Sequence, residues 1–152
     1  MEIEIRKSSR LFIVDEQGRL LLFRYHDEHQ EPFWATVGGE LINDENYIDA
    51  AKRELKEETG LNLEIGELLR ERDEIYAVAR STPARWLEKY FLVNAPSNPE
   101  LSIDGWSDEE KCTIQNSKWW SHEDMLTVST HAFKPSWVPE LLKNVLISRK
   151  NI

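Results

Sequence analysis

Cysteine is almost absent: Cys112 stands alone in 152 residues, so no intramolecular disulfide can form and no soft thiolate set for zinc exists. A reducing, cytoplasmic setting is expected, with a buried or idle thiol. Also missing are the ~20 consecutive apolar residues that span a bilayer and the pattern of a signal peptide, so no membrane partner is expected. There is no internal repeat, low-complexity tract or long linker, and the length suits one domain over residues 1–152. Positive charge is scarce: 19 Lys and Arg face 28 Asp and Glu, a net charge of −9. An acidic domain is a poor partner for a nucleic-acid backbone, whose phosphates need Lys and Arg. A bound cation would reverse that sign locally, so a small phosphorylated ligand is not excluded. Monomer and homodimer are both left open.

The chain's information is concentrated between Gly39 and Leu61. Asn46 is a plausible N-cap, Asp49 suits the positive end of a helix, and Gly60 suits its C-terminal stop, which predicts a helix over Tyr47–Thr59. Residues three and four apart share a face, so Glu54 neighbours Glu57 and Glu58. Ile48, Ala51 and Leu55 form an apolar stripe expected to pack on the core, with the acidic stripe at its edge. Like charges at this spacing repel, so compensation is expected. Arg53 lies four residues before Glu57, and a hard divalent cation would compensate better. A Glu- and Lys-rich helix is more often a solvated face, but here the spacing is specific. At ~7% usage per residue type, seven specified positions coincide by chance on the order of 10⁻⁸ per start site.

Gly39, Glu45, Arg53, Glu54, Leu55, Glu57, Glu58, Gly60 and Leu61 fill every specified position of G-x5-E-x7-R-E-U-x-E-E-x-G-U, with U apolar. The segment resembles the signature of the Nudix hydrolase family. Members often carry Glu-Pro-Gly before the first motif Glu, and here Ile42-Asn43-Asp44 stands there. The resemblance implies an α/β fold, an α/β/α sandwich with a mixed β-sheet. It also implies metal-dependent hydrolysis of a phosphoanhydride in a nucleoside diphosphate linked to another moiety. Mg²⁺ is the implied cofactor, with Mn²⁺ as the other option. The implied ligands are Glu54, Glu57, Glu58 and the carbonyl of Gly39. Arg53 would orient Glu57, and Glu45 would support the loop or a further metal. Nucleoside triphosphates, nucleotide sugars, ADP-ribose and dinucleoside polyphosphates all remain open as substrates. The competing reading is a nucleotide sensor without turnover, against which the full acidic set argues.

Elsewhere, Arg10–Val14, Leu20–Tyr25, Phe33–Val37, Trp86–Val93 and Ser117–Ser121 read as strands, and His26–Pro32 and Ala95–Asp108 as loops. Leu63–Arg72 and Glu74–Ala79 read as two strands with a tight turn. Ser121–Met125 begins a helical turn and Pro139–Ser148 has helical periodicity. Leu21–Arg24, Phe33-Trp34 and Lys118–Ser121 also resemble segments common in bacterial Nudix proteins. Trp119-Trp120 is expected to anchor the last strand.

Glu88 is the first candidate for a general base outside the motif, on the same strand face as Trp86 and Tyr90; a solvent-facing position is the plain alternative. Glu109 and Glu110 come second, with loop solvation favoured for them. Arg24, Arg70, Arg72, Arg80 and Arg85 are candidate phosphate contacts, and Trp34, Trp86, Tyr76 and Trp106 candidate base-stacking residues, although strand aromatics are more often core. Tyr76 stands roughly where some diadenosine polyphosphate hydrolases carry a tyrosine. His26, His29, His122 and His131 form no metal spacing. Cys112 lies in a polar stretch that does not match the cysteine-centred site of isopentenyl-diphosphate isomerase, which shares the fold.

Overall fold

The computed structural model describes residues 3–27, 30–77, 81–97 and 99–150. Its centre is β1 (Ile5–Val14), which pairs in parallel with β5 (Ala84–Asn94) and antiparallel with β3 (Gln30–Glu40). With β2 (Leu20–Asp27), β4 (Leu68–Tyr76) and β6 (Ile114–Trp120), these strands form one mixed sheet in the order β4-β5-β1-β3-β2-β6. Leu11 through Val14 are fully buried. A continuous apolar run of this kind belongs to a strand covered on both faces. Strand side chains alternate, so Leu11 and Ile13 enter one hydrophobic cluster and Phe12 and Val14 the other.

Each face receives a helix. Helix α1 (Tyr47–Thr59) seats Ala51 and Leu55 in the first cluster. The C-terminal helix, α4 (Val138–Lys150), seats Val138, Leu141, Leu142 and Val145 in the second. Burying side chains of the Val and Leu size contributes roughly 1.5–3 kcal/mol each. The result is the expected α/β/α arrangement. Trp119 and Trp120 hold β6 to both layers, one packing against each cluster.

The α1 boundaries are those expected, with Asn46 accepting from the Asp49 N–H at 2.8 Å and Gly60 closing the helix in the left-handed conformation. The buried stripe differs from the expectation. Ile48 is exposed, whereas Ala50, Ala51, Glu54, Leu55, Glu58 and Thr59 are buried. The helix is therefore rotated so that two acids face inward.

Two strands expected over Leu63–Arg72 and Glu74–Ala79 are one, β4, unbroken at Asp73 and pairing with β5; residues 78–80, including Arg80, lie outside the described set. Asp73, between the two expected strands, does not interrupt the chain: the ladder to β5 holds its backbone extended, and its side chain meets Arg85 across the strands at 2.6 Å. His26 and Asp27 extend β2, and Gln30 opens β3, so much of the expected loop is hairpin; His29 lies outside the described residues.

The polar stretch after Trp106 is not all loop: Asp108–Thr113 forms α2, carrying an exposed Cys112. Its start was legible as Ser107-Asp108-Glu109-Glu110, the reciprocal S-x-x-E cap. The Ser107 side chain accepts from the Glu110 N–H at 3.1 Å, and the Glu110 side chain accepts from the Ser107 N–H at 2.9 Å. Two short turns, α3 (His122–Met125) and a 3-10 turn at Thr130–Ala132, lead into α4.

Candidate active site

Near the end of strand β3 stand Gly38 and Gly39, each in close approach to a neighbouring element, and the first requires glycine. Gly38 has φ +146°, and a Cβ there would strike the backbone of Ser9 and Arg10. A Cβ on Gly39 would collide with the Glu54 carboxylate. Glycine here lets α1 lie close enough for Glu54 to turn inward.

Arg53 ties the region together. Its guanidinium donates to Glu45 through Nε at 2.8 Å and Nη2 at 2.9 Å, to Glu54 at 2.8 Å, to Glu57 at 3.0 Å and to the Glu40 carbonyl at 3.0 Å. Such a planar fork spans several oxygens at fixed angles, which a lysine would not. Glu45 also accepts from the Ile42 N–H at 2.9 Å, closing the loop that carries Asn43 at φ 51°. The loop thus forms without the Glu-Pro-Gly that relatives often carry.

The loop before α2 docks on the C-terminal end of α1. Trp106 donates its indole N–H to the Glu58 carbonyl at 2.7 Å, and the Ser102 N–H donates to the Thr59 carbonyl at 2.7 Å. These bonds satisfy carbonyls left open at a helix end and bring α2 beside α1. Glu54, Glu58 and Glu110 each then offer an oxygen within 4.8 Å of the others. It is the one such group of potential ligands among the described residues. Glu57 lies beside it, with a side chain 45% exposed and held by Arg53.

Burial pushes the Glu58 carboxyl far above the usual carboxylate range, and a hydrogen bond to Glu110 and the charges of Glu110 and Glu54 push it further. Burial also raises Glu54, against the opposing pull of Arg53. Burial raises Glu110 too, but the hydrogen bond from Glu58 and those at Ser107 outweigh it, and the net direction is down. Glu58 Oε2 is buried with no hydrogen-bond partner among the described residues. Three close carboxylates, one with an orphaned oxygen, fit a hard divalent cation that prefers oxygen ligands, and the all-oxygen set fits Mg²⁺ or Mn²⁺.

The cluster opens on a cleft of about 470 Å³ whose lining includes Gly39, Glu58 and Glu110, then Arg10, whose charge reaches both Glu58 and Glu88, and Arg72, Tyr76, Trp86 and Glu88. Glu88 is not solvent-facing: it is 3% exposed. Its Oε2 accepts from Ser8 at 2.6 Å and lies 3.9 Å from Arg10, while Oε1 accepts from Arg72 at 3.2 Å and from the Tyr76 hydroxyl. Both oxygens are occupied by the chain's own donors.

The remaining sequence candidates separate cleanly. Tyr76, Trp86 and Arg72 line the cleft, as does Glu109. Trp34 packs edge-on against Trp120 at 5.3 Å beside the α4-side cluster, and Trp106 is the strut described above, edge-on to Phe23 at 5.4 Å. Arg70 lies over the Trp137 ring, Arg85 pairs with Asp73, and Arg24 is exposed. Arg6, Arg10, Tyr25 and Phe33 also line the cleft and were not singled out from the sequence. Arg10 had a readable signal, a cation interrupting the strand that continues Leu11–Val14.

The NUDIX domain family model matches residues 5–141, and the chain belongs to that family. No curated protein sequence matches at a significant level. Among solved structures, the MutT protein of Methanosarcina mazei Go1 aligns over 99% of this chain and 98% of its own at 20% identity and TM-score 0.69. The MutT NUDIX hydrolase of Burkholderia pseudomallei aligns over 88% and 95% at 25% identity and TM-score 0.65. An Ap4A hydrolase of C. elegans aligns over 94% and 98% at 21% identity and TM-score 0.66.

Proposed function

We propose that the protein is a divalent-metal-dependent pyrophosphohydrolase that cleaves a nucleoside diphosphate linked to another moiety. The observation that carries this reading is the cluster of Glu54, Glu58 and Glu110, with its orphaned Glu58 oxygen, at one end of a cleft large enough for a nucleotide. Family membership and similarity to proteins named as MutT and Ap4A hydrolase support it.

Phosphoanhydrides resist hydrolysis because their negative charge repels nucleophiles and the leaving phosphate needs neutralisation. Glu54, Glu58 and Glu110 would hold the cation, with Glu57 and the Gly39 carbonyl adjoining. A cation there would neutralise phosphate oxygens and lower the pKa of a water. The chain's own part is positioning. Arg53 fixes Glu54 and Glu57 side by side, and Glu45 fixes Arg53. Trp106 and Ser102 hold α2 so that Glu110 faces Glu58. A carboxylate of the acidic group accepts the proton of the attacking water. Glu88, with both oxygens engaged, is the poorer base.

The test is a panel of nucleoside triphosphates, ADP-ribose, nucleotide sugars and diadenosine polyphosphates with Mg²⁺ or Mn²⁺, with Glu58→Gln as control. Metal-dependent cleavage lost in the control is expected. Nucleotide binding without cleavage would replace this reading by a sensor.

A further inference from the structure

Arg10 stands on β1 in the wall of the cleft, and its charge reaches both buried acids there, Glu58 and Glu88. Its side chain is 16% exposed, and a guanidinium stays charged when buried. The pairing of that charge is incomplete. Nε donates to the Thr36 hydroxyl at 3.1 Å and Nη2 to the Thr36 carbonyl, both neutral acceptors. The carboxylate partner is Glu88, whose oxygen lies 3.9 Å from Nε, beyond hydrogen-bond reach. Glu88 is itself held closer by Arg72, at 3.2 Å. Tyr25 neighbours Arg10, but burial pushes its phenol up, so it brings no negative charge. The other two guanidiniums of the lining are better matched. Arg6 donates to both oxygens of Glu40, and Arg72 donates to Glu88 and Glu74.

This partly paired charge has opposite effects on the two ligands of the proposed reaction. It opposes the crowding of acids at Glu58. By the same Coulomb interaction it repels a cation entering among Glu54, Glu58 and Glu110. A phosphoanhydride has the reverse sign. Its non-bridging oxygens are anionic, and a guanidinium binds such oxygens through short charge-assisted hydrogen bonds. Arg10 Nη1 is engaged by no carboxylate or carbonyl among the described residues.

We infer that Arg10 is a further catalytic residue, one that holds a non-bridging oxygen of the phosphoanhydride and weakens the bare cation, so that the site favours the cation–substrate complex over the cation alone. The inference rests on the proposed phosphoanhydride chemistry and adds to it a residue far from the Gly39–Leu61 segment. Glu88 then positions Arg10 by charge, and Thr36 positions it by two hydrogen bonds.

The experiment uses two probes that undergo no turnover. One is Mn²⁺ alone, followed by electron spin resonance. The other is imidodiphosphate, the uncleavable core common to the candidate substrates, titrated calorimetrically in saturating Mg²⁺. Arg10→Gln binds Mn²⁺ roughly 3–10-fold more tightly than the wild type, because a repelling charge is gone. It binds imidodiphosphate roughly 10–100-fold more weakly, because a charge-assisted hydrogen bond is gone. The two shifts have opposite signs, which a loosened fold would not produce. Arg10→Lys keeps the charge and loses the fork, so it binds Mn²⁺ as the wild type does and recovers part of the imidodiphosphate affinity. Thermal melts confirm folding of both variants. In the wild type, the Arg10 Nε–H resonance, assigned by its loss in Arg10→Gln, moves on adding imidodiphosphate with Mg²⁺.

Unchanged imidodiphosphate affinity in Arg10→Gln, or an unmoved Arg10 resonance, overturns the phosphoryl contact even if the hydrolysis panel succeeds. Weaker Mn²⁺ binding by folded Arg10→Gln overturns the repulsion. Both opposite shifts, alongside a failed hydrolysis panel, would uphold the contact and refute the activity.

Discussion

Glu58 and Glu88 line one cleft and are almost equally buried, at 2% and 3% exposure, yet their surroundings are opposite. Glu88 is ringed by Ser8, Arg10, Arg72 and Tyr76 and needs nothing from outside the chain. Glu58 is ringed by Glu54 and Glu110, with one oxygen unpartnered. Burying a carboxylate is costly unless it is paired and hydrogen-bonded. The chain meets that cost internally at Glu88 and leaves it open at Glu58. A buried acid whose compensation is complete acts as structure; one whose compensation is missing awaits a ligand.

The comparison can be broken by exchanging the effects. Glu58→Gln is expected to lower metal-dependent turnover by roughly 10²–10³-fold, the scale seen when an electrostatic contact to the transition state is removed. The same change should raise the melting temperature in EDTA, because a neutral amide relieves the crowded acids. A variant that melts earlier would refute the uncompensated state of Glu58. Arg53→Lys keeps the charge but not the fork, and a roughly 10–100-fold loss in turnover is expected, as for groups that orient metal ligands. Unchanged kinetics would detach Arg53 from the site.

Glu88→Gln should act mainly on stability. Breaking a buried ion pair costs roughly 3–5 kcal/mol, and the retained amide should bring the loss to the lower end of that range. Urea denaturation measures it, and a variant as stable as wild type would contradict the ring of partners. Smallest of all is Asp73→Asn, which removes an exposed pair with Arg85 on β4. Exposed pairs contribute little, so no resolvable change in melting temperature is expected. A clear drop would mean that the outer strand depends on that contact.

Much of this was legible in the chain. The α1 caps lie within a few residues of the helix they bound, so Asn46 and Gly60 set its limits directly. The Gly39–Leu61 spacing indicated the family and the acidic helix for the same reason. The missed parts depended on partners distant in sequence. Ile48 and Leu55 look alike on a helical projection, and only contact with Gly39 and the sheet turns Glu54 and Glu58 inward. Asp73 resembles a turn residue until β5 pairs with its strand. Glu110 looked solvated because its neighbour Glu58 is 52 residues away in the numbering, and only the docking of Trp106 and Ser102 on α1 joins them.

By itself the sequence determined the helix, its acids, the continuous apolar run of β1 and the shortage of thiols and cations, because these are local patterns of period, cap and composition. The tertiary structure decided which acids are compensated. It set Arg10, Arg72, Ser8 and Tyr76 around Glu88 and placed Glu54 and Glu110 against Glu58, where the charge of Arg10 opposes them without outweighing burial and the neighbouring acids. The free energy of a buried charge depends on the nearest dipoles and counter-charges in space, and those come from strands and helices that the chain order does not place side by side.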